Sequence, residues 1–168
     1  MSCDILFKTD THMFSYRVAG LLVRNGKILL QRDKWGDHAV PGGHVNFMET
    51  TEETLKREFL EEIQAKIGVD RLLAVQENFF MWGSKPCHQI HFYYQIHLEE
   101  ENIPLEGEFP VCDQLGDLRV DLDFVWVPLE NLKSISVYPR EIETLLEKRN
   151  GVMHFVSSEL KPQETCGR

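Results

Sequence analysis

The stretch PGGHVNFMETTEETLKREFLEEIQA, residues 41–65, passes from a glycine-marked loop into a helical pattern at Thr50. Thr50 and Glu53 have the spacing of a capping box, in which the Thr hydroxyl takes the Glu53 amide and fixes the helix start. Leu55, Phe59, Ile63 and Ile67 then recur every fourth residue as one apolar stripe. With roughly 100° per residue and Leu55 at zero, Glu61, Glu58 and Glu62 fall at roughly 240°, 300° and 340°. They share one acidic arc beside the stripe. Glu58 faces Glu61 and Glu62 at i+3 and i+4, where like charges each cost about 0.2–0.5 kcal/mol, and the last two lie toward the negative end of the helix dipole. A helix serving only as scaffold gains nothing from this. Glu52 and Glu53, by contrast, sit at the positive end, where capping explains them. Clustered hard oxygen donors suit Mg²⁺ or Mn²⁺, which bind carboxylates together with water and phosphates.

In register, the stretch resembles the Nudix box, G-x5-E-x7-R-E-U-x-E-E-x-G-U with U a bulky apolar residue. Gly43, Glu49, Arg57, Glu58, Phe59, Glu61 and Glu62 all match it. The resemblance implies an α/β protein, a Nudix-like α/β/α sandwich with a mixed β-sheet. It implies a metal site of Glu58, Glu61 and Glu62 with a backbone carbonyl at Gly42 or Gly43, holding Mg²⁺ or Mn²⁺. It further implies an ion pair between Glu49 and Arg57 that holds the loop against the helix. The activity implied is pyrophosphate hydrolysis in a nucleoside diphosphate linked to another group, by attack of an activated water on phosphorus. Glu58, Glu61, Arg57 and Glu49 are the catalytic set, with Glu58 or Glu61 favoured to take the proton. Gln64 stands where the family has its second Gly, and Ala65 is small for the last apolar position. Because Gln64 lacks the freedom of Gly and Ile67 continues the stripe, the helix is expected to run about one turn further and stop at Gly68.

On either side, Phe14 to Leu30 reads as two strands joined at Asn25-Gly26, a dipeptide suited to a tight hairpin. Trp35 to Gly43 reads as loop. Leu72–Phe80 and Gln89–Leu98 read as strands, the second alternating Ile90, Phe92, Tyr94 and Ile96 with Gln89, His91, Tyr93 and Gln95, so that one face is buried and one open. Residues 99–120 read as a long acidic connection and Phe124–Val127 as a central strand. Pro139 can open a second helix over Ile142, Leu145 and Leu146, ending at Gly151. No repeat or linker is visible, so residues 1–168 are read as a single domain, with helices on a mixed sheet.

At 168 residues, with 42% hydrophobic and 27% charged side chains, the chain is of a size and composition to bury a core without disulfide or structural metal. The amino terminus carries no secretory pattern, and no apolar run could span a bilayer, which makes the cytoplasm the expected location. The formal charge of −9 argues against duplex nucleic acid as a partner, and an anionic ligand would need a cation beside it. The expected partner is a small nucleoside diphosphate derivative, with no membrane and with a homodimer left open. Cys3, Cys87, Cys112 and Cys166 form no C-x-x-C pair and are read as reduced thiols.

Cys87, His88, His91 and His97 invite a zinc reading, but on a strand His88 points away from Cys87 and His91. Phe79, Phe80, Trp82, Tyr93 and Trp35 are candidates to stack a planar group, although strand aromatics are more often core. Glu106, Glu108, Asp113 and Asp117 are alternative general bases, read first as solvated loop charges. Phosphate-loop, dinucleotide, serine-hydrolase and zincin motifs are absent. The contrasting reading is a non-catalytic Nudix-like nucleotide-binding or sensor module. Gln64 keeps it open, while three mutually repelling carboxylates favour the enzyme.

Overall fold

In the computed structural model, residues 3–100, 103, 108–115 and 118–160 are described, with the backbone alone for 108–115 and 118–122. Asn25 and Gly26 both take positive φ, 51° and 72°, and turn β2 (Met13–Arg24) into β3 (Lys27–Arg32) as a two-residue hairpin demands. β2 is the hub of the sheet. β1 (Leu6–Lys8), β3 and β5 (Gly42–His44) pair with it antiparallel, and β7 (Lys85–Leu98) pairs with it parallel from Met13 to Leu22. β6 (Ile67–Trp82) folds back on β7 through a turn at Gly83, and β11 (Met153–Ser158) adds to β6 in parallel. On the other flank β4 (His38–Ala39) and β9 (Leu118–Pro128) pair with β3, β10 (Val137–Tyr138) with β4, and β8 (Glu108–Leu115) with β9. The sheet is therefore mixed, as expected.

Its two faces are each covered. The first helix, α1 (Thr51–Ile63), lays Leu55, Phe59 and Ile63 on Val18, Leu22 and Leu29. The second, α2 (Ile142–Glu147), lays Ile142 and Leu145 on Ala19, Leu21, Ile28 and Leu30. Adjacent residues on β2 and β3 thus point into opposite cores, which is the period of a strand buried on both sides. This is the α/β/α sandwich. Among the described residues no helix is long and apolar enough to cross a membrane.

Several expectations are corrected. β4 and β5 form inside 35–43, where close pairing with neighbours overrides a loop-like composition. β8 and β9 occupy much of 99–120, leaving a shorter connection, and β6 and β7 run beyond their predicted ends. The polar face of β7 is open only in part: Gln95 is exposed, but Gln89 and Tyr93 are 7% and 3% exposed because the α2 side covers them. α2 stops at Glu147, well before Gly151, and β11 follows unforeseen.

The helix end is the most instructive correction. α1 leaves at Ile63, and Gln64 itself turns left-handed at φ 55°, ψ 29°. The Gln64 and Ala65 amides then close onto the carbonyls of Leu60 and Phe59, both at 3.1 Å. Ile67 is claimed by β6, where it pairs with Leu98, so the apolar stripe changes element instead of lengthening the helix. A glutamine has taken the conformation that usually belongs to glycine. Gln64→Gly should keep or raise thermal stability, whereas Gln64→Val, whose branched Cβ resists this conformation, should lose about 1–2 kcal/mol. Urea denaturation of the two variants checks this, and equal losses from both would count against a left-handed cap.

Candidate active site

Arg57 gathers the site. Its Nε donates to Glu49 Oε1 at 3.0 Å, its Nη1 to Glu58 Oε1 at 2.7 Å and Glu61 Oε2 at 3.2 Å, and its Nη2 to the His44 carbonyl at 3.3 Å. One guanidinium therefore ties the loop, α1 and β5 together, and the Glu49–Arg57 pair forms as the sequence implies. Thr54 donates a further bond to Glu49 at 2.9 Å. The capping box is complete, with Thr50 accepting from the Glu53 amide at 3.2 Å and Glu53 from the Thr50 amide at 2.8 Å.

The carboxylates divide by environment. Burial raises the Glu58 carboxyl against the opposing pull of Arg57, while the Arg57 hydrogen bond lowers Glu49. Glu61 is largely exposed, and Glu62 turns to Gln31, whose Nε2 donates at 3.0 Å. Among the described residues no three His, Cys, Asp or Glu side chains converge in a metal-holding group. Glu58 and Glu61 meet on Arg57 instead, and Glu62 accepts from Gln31. Gly42 and Gly43 are needed for packing: a methyl group on Gly42 would strike the Val18 backbone, and one on Gly43 would strike the Glu58 carboxylate. Glu58 therefore rests directly on the β5 backbone. The side chains of residues 106, 108, 113 and 117 lie outside the described residues.

A cavity of about 760 Å³ opens on the α2 side of the sheet, with Arg17, Gln76, Gln89, His91 and Tyr93 among its lining and none of the carboxylates around Arg57. The Tyr93 hydroxyl donates to Gln76 at 2.7 Å and lies 3.1 Å from His91 Nδ1, which also meets Gln89 at 3.1 Å. Burial, with Arg17 and His44 adding to it, pushes the His91 imidazole well below its usual range. Arg17 Nη2 donates to the Gly42 carbonyl at 3.3 Å, joining cavity to loop. Sequence reasoning passed over Arg17, Gln76 and Arg140, another residue of the lining. The one available signal was an arginine, Arg17, inside a largely apolar strand. Of the aromatics singled out, Phe80 and Tyr93 line this cavity, Phe79 stacks on His88 at 4.4 Å and Trp35 is 78% exposed. The zinc candidates do not converge, since His97 pairs with Asp70 at 2.7 Å while His91 belongs to the cavity network.

Two consequences are measurable. Gly43→Ala should destabilise by about 1–3 kcal/mol through overpacking, and adding Glu58→Ala should recover part of that loss. Additive losses in urea denaturation would rule out the contact. His91 is held neutral, so above pH 6.5 both folded and unfolded chains carry it uncharged. Below that the unfolded chain takes a proton that the folded one refuses, and stability falls by up to about 1.4 kcal/mol per pH unit. His91→Gln should remove that part of the acid sensitivity between pH 7.5 and 5.5, and an unchanged pH profile would show that the imidazole titrates freely.

Comparison with known proteins places this arrangement in a family. A sequence model described as the NUDIX domain matches residues 14–147. The chain is 27% identical over 112 residues to Protein PSK SIMULATOR 1 of Arabidopsis thaliana, a match covering 63% of this chain and 17% of that protein. In structure it is similar to a NUDIX hydrolase from Nitrosomonas europaea, with TM-score 0.57 and 16% identity over 90% of this chain and 82% of the other. It is also similar to a UDP-X diphosphatase, with TM-score 0.54 and 21% identity over 89% and 69%. At these identities the structural likeness speaks for the fold alone. The family model, spanning most of the chain, decides the assignment: this protein belongs to the Nudix family.

Proposed function

We propose that this protein is a metal-dependent hydrolase that cleaves the pyrophosphate bond of a nucleoside diphosphate joined to another group. The observation that carries the reading is the crowding of Glu49, Glu58 and Glu61 around the single guanidinium of Arg57. Three carboxylates against one guanidinium leave two negative charges, the complement of one divalent cation. Hard carboxylate oxygens beside a backbone that packs against Glu58 fit Mg²⁺ or Mn²⁺. Glu58, Glu61, Glu62 and a carbonyl of Gly42 or Gly43 would hold it once Glu62 turns from Gln31 and Arg57 releases an oxygen of Glu58 and Glu61. When bound, such an ion neutralises the diphosphate and lowers the pKa of an attacking water.

The chain's own residues do the rest. Arg57 holds Glu49, Glu58 and Glu61 in one place, so the acidic cluster exists before substrate arrives. In the reaction the water oxygen bonds to one phosphorus and the bridging P–O bond breaks. The water proton passes to Glu58 or Glu61, and the leaving phosphate departs with the bridging oxygen. The cavity beside Gly42 receives the organic part of the substrate, with neutral amides to read it. The same reading treats residues 1–168 as one domain acting in the cytoplasm.

Glu58→Gln, Glu61→Gln and Glu62→Gln keep size and helix propensity while each deletes a charge. Turnover of a diphosphate substrate should fall roughly a hundredfold or more for at least the Glu58 variant, at about 1.4 kcal/mol per decade. Excess chelator should abolish the wild-type rate. Phosphate-release assays over nucleotide sugars, ADP-ribose and nucleoside triphosphates with Mg²⁺ or Mn²⁺ check both points. A wild type equally fast in chelator, or variants that all keep near-full rates, would show that α1 is not the catalytic element and overturn the metal-dependent reading, whereas absence of turnover on every probe would leave the sensor reading in place.

A further inference from the structure

We propose that Trp35, at the tip of the loop joining β3 to β4, stacks on the planar group of a ligand at the mouth of the larger cavity and so selects for a nucleobase there. The inference rests on the hydrolase reading and assigns specificity to a residue outside α1 and its glycine loop. Both stems of the loop border the cavity of about 760 Å³: Asp33 on one side, Ala39 and Val40 on the other. The tip between them is held in one shape. Asp33 Oδ1 accepts from the amides of Trp35 and Asp37, both at 2.9 Å, as aspartate does in a tight turn. The Asp33 amide donates to the Asp37 carbonyl at 3.0 Å and the Gly36 amide to the Asp33 carbonyl at 3.1 Å, with Gly36 at φ 89°. These bonds account for Asp33 and Gly36, but the indole takes part in none of them. Trp35 is 78% exposed, and its one ring contact is the Lys34 ammonium, 4.4 Å from the ring centroid. One face of the indole is thus covered by a cation and the other is bare.

A single exposed apolar side chain is common on protein surfaces and by itself signifies little. Here the largest of the side chains is fixed at a cavity rim on a turn that is already ordered, so stacking on it costs little conformational entropy. The cavity is of the size that takes a nucleoside, since ligand pockets run from about 300 to 1,000 Å³. Its floor offers Gln76, Gln89 and Tyr93, whose polar atoms can meet the edge of a base but supply no platform for its face. Trp35 supplies one, and Lys34 beside it adds a cation where an anionic ligand enters a chain of net charge −9. Trp82 is the competing platform, but its ring already stacks on His44, with centroids 6.1 Å apart, and on Phe80, with centroids 6.3 Å apart. A saturated group in the cavity has no π face to offer Trp35, which is how the residue discriminates.

The test is binding in chelator, where turnover plays no part, of AMP, GMP, CMP and UMP against ribose 5-phosphate, followed by calorimetry and tryptophan fluorescence. At least one nucleotide should bind more tightly than ribose 5-phosphate and quench the emission. Trp35→Ala should weaken that nucleotide about tenfold while leaving ribose 5-phosphate unchanged. Trp35→Phe should keep most of the affinity yet lose the quenching, because Trp82 and Trp126 then remain as the only emitting indoles and neither meets the ligand. Circular dichroism confirms that each variant is folded. The inference is overturned if none of the four nucleotides outbinds ribose 5-phosphate, if folded Trp35→Ala binds like wild type, or if it weakens both ligands equally. Quenching that persists in Trp35→Phe would also overturn it and give the stacking to Trp82. A protein that binds as expected but cleaves nothing with Mg²⁺ or Mn²⁺ would keep this assignment and lose the hydrolase reading, whereas metal-dependent turnover with a neutral Trp35→Ala would do the reverse.

Discussion

The guanidinium of Arg57 is the constraint on which the site depends. Carboxylates at Glu49, Glu58 and Glu61 repel one another, and without a cation among them neither the loop nor the outer face of α1 would hold its place. Arg57 meets all three and also takes the His44 carbonyl, so one side chain connects α1, the preceding loop and β5. Hydrogen bonds to charged partners are roughly twice as strong as neutral ones, and the planar fork of arginine lets several of them form at once. Lysine, a single point charge, could not reproduce the arrangement. The glycine pair adds the steric half of the same constraint, because Gly43 lets the Glu58 carboxylate lie against the β5 backbone.

The sheet supplies the rest of the geometry. β2 is paired on several sides and buried on both faces, so Arg17 can sit on the α2 side of a strand whose next residue, Val18, lies in the core beneath α1. A tethered arginine links the cavity to the glycine loop through the Gly42 carbonyl. The chain carries a formal charge of −9, and this cavity sets Arg17 and Arg140 against Asp33, Glu141 and Glu159 in its lining. His91 contributes no positive charge there, since burial keeps its ring neutral and leaves it as one more polar group beside Gln89 and Tyr93.

The end of α1 shows how packing can overrule a local preference. Glutamine resists the left-handed region, but a longer helix would carry Ile67 away from β7 and Ala65 out of the core, where both are now buried. Burying such side chains is worth more than the roughly 1–2 kcal/mol that a left-handed residue costs. The family glycine is thus replaced in identity but not in conformation, and the departure at Gln64 leaves the carboxylates upstream where the motif puts them.

What the sequence by itself determined is local. The capping box, the apolar stripe through Ile63 and the Asn25-Gly26 turn all involve residues near in sequence, whose spacing on a helix or hairpin fixes their geometry, while the Glu49–Arg57 pair was implied by the family resemblance. The alternation in β7 was also legible, but not whether its polar face stays open, because Gln89 and Tyr93 are covered by elements more than forty residues away. The same is true of the short strands β4 and β5, which exist only because β2, β3 and β10 pair with them. Residues 41–65 revealed where the carboxylates are. Only the tertiary structure put Arg17 beside them, since β2 precedes the box by some twenty residues and the meeting depends on strand pairing between Arg17 and His44 that no local spacing encodes.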